Sequence, residues 1–274
     1  MTIDSHVHFW KYDKKRDSWI TDEMKILRQD YLPEHLSLSL KRNEIDGCVA
    51  IQADQSELET HFLVELTKTH SIIKGVVGWI DLQSINIEDR LQYFSQYPAI
   101  KGWRHIVQSE PDNFLSNENF QRGIKALQIF NYTYDILIYH YQLEPVIEFV
   151  SKFPEQKFVL DHCAKPDIKN KNIDVWKAGI KELSQYPNVY CKVSGLFTEA
   201  EWKDWSPGVF YPYLDVVFDC FGSDRLLFGS DWPVLLLSGM YVQWKSLIEK
   251  YMENFEDEER EKVFGINAMN FYNL

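Results

Sequence analysis

Positive charge is scarce in this 274-residue chain: 29 lysines and arginines stand against 41 aspartates and glutamates, a formal net charge of −12. That balance argues against nucleic acid or an anionic membrane as a partner. The one local gathering of bases, Lys11, Lys14, Lys15 and Arg16, is interleaved with Asp13 and Asp17. Long apolar runs are missing as well, and none approaches the roughly 18 residues expected of a membrane-spanning helix. The chain opens almost directly on a strand pattern, without the basic flank, apolar run and cleavage site of a secretory leader. Cysteine is sparse. Cys48, Cys163, Cys191 and Cys220 are far apart and form no CxxC pair, which speaks against a cysteine zinc site and for free buried thiols in a reducing, cytoplasmic compartment. The 12 glycines spell neither a P-loop nor a GxGxxG fingerprint, and no GxSxG elbow is present, so neither nucleotide binding nor a serine nucleophile is indicated.

What is abundant is core material, with 45% hydrophobic and 15% aromatic residues. Eight short apolar strand candidates recur along the chain: 3–8, 47–53, 73–81, 100–105, 134–138, 157–163, 189–195 and 226–233. Their near-continuous apolar character fits parallel strands covered on both faces. Helical patterns lie between them. SELETHFLVELTKTH places Leu58, Phe62, Leu63 and Leu66 at helical spacing, EPVIEFVSKF carries a proline near its start, and YPYLDVVFDCFG closes on Gly222 as a C-cap. Eight strands alternating with helices suggest a (β/α)8 barrel, although a doubly wound sheet has the same alternation. No linker, repeat or low-complexity tract divides residues 1–274, so a single domain is expected. The long aromatic segment 9–33, with Trp10, Tyr12, Trp19 and Tyr31, would lie over the catalytic face of a barrel.

The first strand, IDSHVHFW, raises its own question. Side chains alternate in a strand, so His6 and His8 point to one side and Val7 to the other. Two imidazoles sharing a face are either solvated or share a ligand. Other strand ends carry titratable groups too: Arg104 and His105 on the fourth, Asp161 and His162 on the sixth with Lys165 just beyond, Lys192 and Ser194 on the seventh, Asp231 on the eighth. A barrel assembles its active site at that end of its strands.

Each feature has a plainer explanation. The HxH pair suits an exposed strand edge; Arg104 and Lys192 suit ion pairs closing the rim; His162 suits a strand cap. Asp161 suits a bond to backbone or a neighbouring loop, and Asp231 suits a turn residue bonding its own backbone. Arg104 and His105 alternate, and Arg104 is the one expected inside. His35, His61 and His70 fall in helical patterns and are expected at the surface. His140 faces either the site or solvent. Taken together the plain explanations weaken, because chance would not stack such groups at one end of successive strands. A carboxylate beside imidazoles can take a proton from water and return it to a leaving group. Two histidines and an aspartate can hold a divalent ion with an open position. Cations can stabilise an oxyanion. Hydrolysis by activated water fits this set.

DSHVHFW, GWRH, FVLDHCAKP, YCKVSGL and LLFGSDWP, in this order, resemble the amidohydrolase superfamily. More narrowly, they resemble its branch of sugar-lactone hydrolases, the group containing L-fuconolactonase and L-rhamnonolactonase. The likeness spans the chain to FGINAMNFYNL, similar to the family's C-terminal helix. It implies a distorted (β/α)8 barrel that opens a sugar-acid lactone, such as an L-fucono-, L-rhamnono- or galactono-lactone, with water. By that resemblance Asp231 is the general base. His6, His8 and His162 orient water and polarise the carbonyl, directly or through a metal held by His6, His8 and Asp231. Arg104, Lys192 and Trp232 fall where the family contacts substrate or supports the site, and Trp10, Trp19 and Trp232 would stack on the sugar ring. The fourth strand lacks the bridging lysine or glutamate of binuclear members, and the fifth lacks a metal-binding histidine unless His140 substitutes. At most one ion, zinc or manganese, is therefore expected, and a metal-independent reaction is a second option. The alternatives are a metal-dependent decarboxylase of the same superfamily and a barrel that binds a sugar acid without catalysis. Exposed aromatics on the outer helices would permit a homodimer.

Overall fold

The computed structural model describes residues 1–274. Its eight strands are β1 (Ile3–Val7), β2 (Gly47–Ile51), β3 (Ile73–Gly78), β4 (Ile100–His105), β5 (Thr133–Ile136), β6 (Phe158–Leu160), β7 (Val189–Val193) and β8 (Leu226–Phe228). They pair in parallel in sequence order. The ring closes just beyond β8 rather than along it. Val7 bridges Trp232, the His8 amide donates to the Trp232 carbonyl at 2.7 Å, and the Asp231 amide donates to the His6 carbonyl at 2.9 Å. The molecule is a distorted (β/α)8 barrel, and the doubly wound alternative is excluded by that closure.

The helices outside the ring are α1 (Pro33–Arg42), α2 (Glu57–Thr67), α3 (Ile87–Phe94), α4 (Glu118–Ile129), α5 (Leu143–Ser151), α6 (Asp174–Leu183), α7 (Leu196–Glu199), α8 (Tyr211–Phe221), α9 (Tyr241–Tyr251), α10 (Asp257–Glu261) and α11 (Asn267–Tyr272). Gly222 ends α8 at φ 63° and ψ 169°, a positive-φ conformation that essentially only glycine adopts. In α2, Leu63 and Val64 are buried but Leu58 is 82% exposed, so the apolar stripe begins one turn later than the spacing predicts.

Inside the ring, Ile3, Val49, Ile51, Val77, Val159 and Leu227 pack on Phe271 and Tyr272 of α11. The C-terminal helix thus plugs the floor of the barrel. Above this apolar layer the interior turns polar. Strict alternation from Ile3 would aim His6 outward; a register irregularity between Asp4 and Val7 turns His6 inward and Val7 out to the helix layer. Further along, the strands stop earlier than the apolar runs suggest. β6 ends at Leu160 and β8 at Phe228, and the polar residues past them lie in turns. No helix is long and apolar enough to cross a membrane.

Candidate active site

A cavity of about 490 Å³ opens at the C-terminal ends of the strands, a size typical of small-molecule sites. His8, Arg104, His162 and Asp231 form its chemical wall; Trp10, Arg16, Ser18 and Trp19 of the long first loop cover it. Asp54, Gln55 and Lys165 also reach it.

Four polar side chains converge at the base of this cavity. His6 and His8 approach Nε2 to Nε2 at 3.1 Å. From Asp231 Oδ1 they stand 3.8 and 3.3 Å away, and His162 Nε2 3.9 Å. Each is aimed by a second contact. His8 Nδ1 lies 2.9 Å from the Ile51 carbonyl; a carbonyl only accepts, so Nδ1 carries a proton and donates, and Nε2 is the edge turned to the site. His162 Nδ1 meets Ser194 Oγ at 2.9 Å. Asp231 sits at φ 61°, a left-handed conformation that aspartate tolerates better than most residues. His162, Cys163, Ala164 and Lys165 form an unbroken left-handed run, and each such residue costs on the order of 1 kcal/mol or more. Bonds around that run offset the strain: Trp176 Nε1 to the Cys163 carbonyl at 2.7 Å, His140 Nδ1 to the Lys165 carbonyl at 3.0 Å, and the Lys165 amide to the His162 carbonyl at 2.8 Å. Gly195, at φ 67°, is required beneath it, since a Cβ there would stand 2.5 Å from the His162 ring.

Charge states follow from the same packing. Burial alone would raise the Asp231 carboxyl, but His162 and His8 outweigh it and hold it below its usual range. Burial pushes His162 down to about 4, against the pull of Asp231 and Asp161. His6 is held well below its ordinary value, by burial and then by the Lys192 charge. Near neutral pH the site therefore presents an ionised Asp231 carboxylate beside the neutral imidazoles of His6 and His162.

Below lies a second polar layer. Lys192 Nζ stands 2.5 Å from Asp135 Oδ2, 2.9 Å from Asp161 Oδ1 and 3.1 Å from His6 Nδ1. Arg104 Nη1 donates to Asp161 Oδ2 at 2.9 Å and lies 3.4 Å from His6 Nε2, while Nη2 donates to the Gln52 carbonyl. Tyr272 of α11 donates to Asp135 Oδ2 at 2.7 Å. Burial raises the Asp161 carboxyl, yet Lys192, His6 and Arg104 outweigh it and hold it well below its ordinary value. Asp135 has only one cation beside it, and burial pushes it up to about 6.

The structure brings His8, His162, Asp231, Arg104 and Trp10 to the cavity, with His6 buried directly behind them against His8 and Asp231. Lys192 and Trp232, both expected against substrate, do not reach it. Lys192 is fully buried and engaged by two carboxylates. Trp232 is packed between Phe9 and Tyr31, at ring distances of 5.9 and 5.2 Å. Asp161 bonds interior side chains, not the backbone or loop expected of it. His105 turns outward, stacked on Phe114 at 4.7 Å and paired with Glu110. His140 binds backbone and does not line the cavity. Sequence reasoning missed Asp135, Tyr272 and Glu59. A lone aspartate inside the apolar run YDILI was a signal for the first, and the SELE helix start for the third.

The donor atoms also fit a divalent ion. Tetrahedral ligands at about 2.0–2.1 Å from zinc stand roughly 3.3 Å apart, close to the 3.1, 3.3 and 3.8 Å separations among His6 Nε2, His8 Nε2 and Asp231 Oδ1. The other cluster, His6, Asp161 and His162, fits less well, because Asp161 is already committed to Arg104 and Lys192.

The profile of the amidohydrolase family matches residues 3–274. An L-fucono-1,5-lactonase of Burkholderia multivorans is 36% identical over 100% of this chain and 96% of its own length. A second L-fucono-1,5-lactonase, from Burkholderia ambifaria, is 31% identical over 99% of this chain and 95% of its own. An L-rhamnono-gamma-lactonase of Scheffersomyces stipitis is 27% identical over 66% of this chain and 61% of its own. A crystal structure of an amidohydrolase from Burkholderia multivorans with bound zinc superposes with a TM-score of 0.97 at 36% identity, covering 100% of this chain and 99% of that one. The eight-stranded closure, the polar rim and these matches agree, and the chain belongs to the amidohydrolase family.

Proposed function

We propose that the protein hydrolyses the lactone of a sugar acid, with Asp231 activating the water. The observation that carries this reading is an ionised carboxylate facing a sugar-sized cavity with three imidazoles within 3.9 Å of it. The full-length lactonase relatives support the choice of substrate class. Water beside Asp231 gives a proton to the carboxylate, and its oxygen attacks the ester carbonyl. The imidazoles of His6, His8 and His162 orient the carbonyl, and the Arg104 guanidinium at the cavity floor favours the oxyanion. The tetrahedral intermediate collapses by breaking the bond to the ring oxygen, which recovers the proton from Asp231. The product is an open hydroxy acid that ionises in solution. Trp19 at the mouth, edge-on to Trp10 at 6.1 Å, offers an apolar face to the sugar ring.

His6, His8 and Asp231 would hold a single divalent ion, zinc or manganese. When bound, it would supply Lewis-acid polarisation of the carbonyl and a more acidic water. The four unpaired thiols support a reducing, cytoplasmic setting.

The test is an indicator screen for acid release from sugar lactones, beginning with L-fucono-1,5-lactone. It is run on chelator-treated protein with and without zinc or manganese, with bound metal measured in parallel. Acid from a subset of lactones is expected. No acid from any of them overturns the reading, and loss of an aromatic acid's absorbance instead would install a decarboxylase in its place.

A further inference from the structure

Three cations line the cavity: Arg16, Arg104 and Lys165. Two of them are already neutralised by the protein. Arg16 donates twice to Asp17, at 2.7 and 2.8 Å. Arg104 is paired with Asp161. Lys165 differs. No carboxylate stands within 4.0 Å of its ammonium and no protein acceptor takes a hydrogen bond from it, although the side chain is half-buried. It rests 5.2 Å over the face of the Tyr139 ring, a cation–π contact that does not neutralise the charge. Glu199 faces it from α7 at longer range, and burial holds that carboxyl above its ordinary value despite the nearby lysine.

The main chain presents this lysine deliberately. Lys165 ends the left-handed run that begins at His162, at φ 47°. The same turn that sends His162 toward Asp231 sends Lys165 to the cavity wall. Strain of this kind persists where the surroundings impose a geometry, and here the cross-bonds from Trp176 and His140 impose it.

Lactone hydrolysis changes the charge of the substrate in one respect. A neutral ester passes through an oxyanion and becomes a carboxylate. A free ammonium in the cavity therefore favours the transition state and product over the substrate. We propose that Lys165 is a substrate-contacting residue of this site, its ammonium binding the oxygens of the reacting ester as they acquire negative charge and holding the sugar-acid carboxylate after ring opening. The proposal rests on the lactonase reading for its substrate, and the geometry selects the residue.

The experiment combines calorimetry with kinetics on the wild-type protein, Lys165→Met and Lys165→Arg. L-fuconate and L-rhamnonate serve as anionic probes and L-fucose as the neutral control. Because the ammonium bonds to no protein acceptor, both variants are expected to fold, which thermal melting checks. Lys165→Met should weaken sugar-acid binding by about tenfold or more and leave L-fucose within about twofold. It should lower kcat for the lactone more than it raises KM, and Lys165→Arg should restore most of both. Unchanged sugar-acid binding in Lys165→Met overturns the proposal, and so does an equal loss of L-fucose, which marks a structural role only. A wild type that opens lactones alongside an unaffected Lys165→Met removes Lys165 and leaves the lactonase reading standing. A wild type that opens none removes that reading. The titrations then decide Lys165 alone: weakening in the methionine variant supports it, and a wild type that binds neither acid overturns it.

Discussion

Two polar layers share the interior of this barrel, one above the other, and they are built on opposite terms. In the lower layer two cations, Lys192 and Arg104, meet two carboxylates, Asp135 and Asp161, at 2.5 to 2.9 Å. In the upper layer three imidazoles surround Asp231 at 3.3 to 3.9 Å, loose contacts facing a cavity. The lower layer has its charges cancelled, and of its four side chains only Arg104 reaches the cavity. The upper one keeps an ionised carboxylate short of close partners. Tight pairing below and slack above is the physical difference between a group that positions and a group that reacts. His6 joins the two, since its Nδ1 edge faces Lys192 and Asp161 while its Nε2 edge faces His8.

The largest effect should come from removing the base in the upper layer. Asp231→Asn keeps the shape and the left-handed residue but cannot take a proton. Lactone turnover should fall by about 10³- to 10⁴-fold, with the thermal midpoint close to that of the wild type. Steady-state kinetics and a melting curve on the same preparation check both halves; turnover within tenfold of wild type would remove Asp231 as base. The lower layer should answer the other way. Lys192→Met leaves Asp135 and Asp161 buried beside a methionine. Removing one partner of a buried ion pair costs about 3–5 kcal/mol, a large part of the roughly 5–15 kcal/mol that holds a domain together. Denaturant unfolding should show that loss. A stable Lys192→Met with a purely kinetic defect would collapse the distinction between the layers.

The upper layer was far more legible in the sequence than the lower one. His6, His8, His162 and Asp231 stand out because each is a polar residue at or just past the end of an apolar run, and the order of the runs places those ends on one rim even where the exact strand boundary is missed. Arg104 was read as the inward member of its pair by the same alternation. Lys192 was misplaced because alternation tells which face a residue occupies, but not whether its charge is met by another. That depends on Asp135, an isolated residue in β5, and on Tyr272, at the far end of the chain. Trp232 was misread for a related reason: an aromatic beside a catalytic aspartate looks like a sugar platform, whereas Phe9 and Tyr31 enclose it. The strand ends at Asp161 and Asp231 ran too long because apolar character continues through residues whose backbone has already turned left-handed.

Glu59 offers a finer test, because it is a buried carboxylate of a third kind, with neither the imidazoles of the upper layer nor the cations of the lower. Its oxygens accept from the Ala53 amide at 3.0 Å and the Asp54 amide at 2.6 Å, bracing the loop that carries Asp54 and Gln55 to the cavity. Ser56 caps α2 by accepting from the Glu59 amide, so this glutamate braces the loop from inside the helix's first turn. Burial dominates its charge and pushes it up to about 8, against those amides, with Asp54 adding to the rise and Arg16 opposing it. The folded protein then keeps a proton that the unfolded chain releases from about pH 4.5 upward. The stability tied to that proton is complete below the unfolded value and is lost as pH rises toward 8. Glu59→Gln does not titrate and forgoes one acceptor oxygen, a penalty that is the same at every pH. Its stability relative to wild type should therefore improve by about 2 kcal/mol between pH 5 and 8, allowing for partial relaxation of a shift of this size. Paired melting curves across that range read the difference directly, and parallel curves would mean that the loop amides alone keep Glu59 ionised, as the imidazoles do for Asp231.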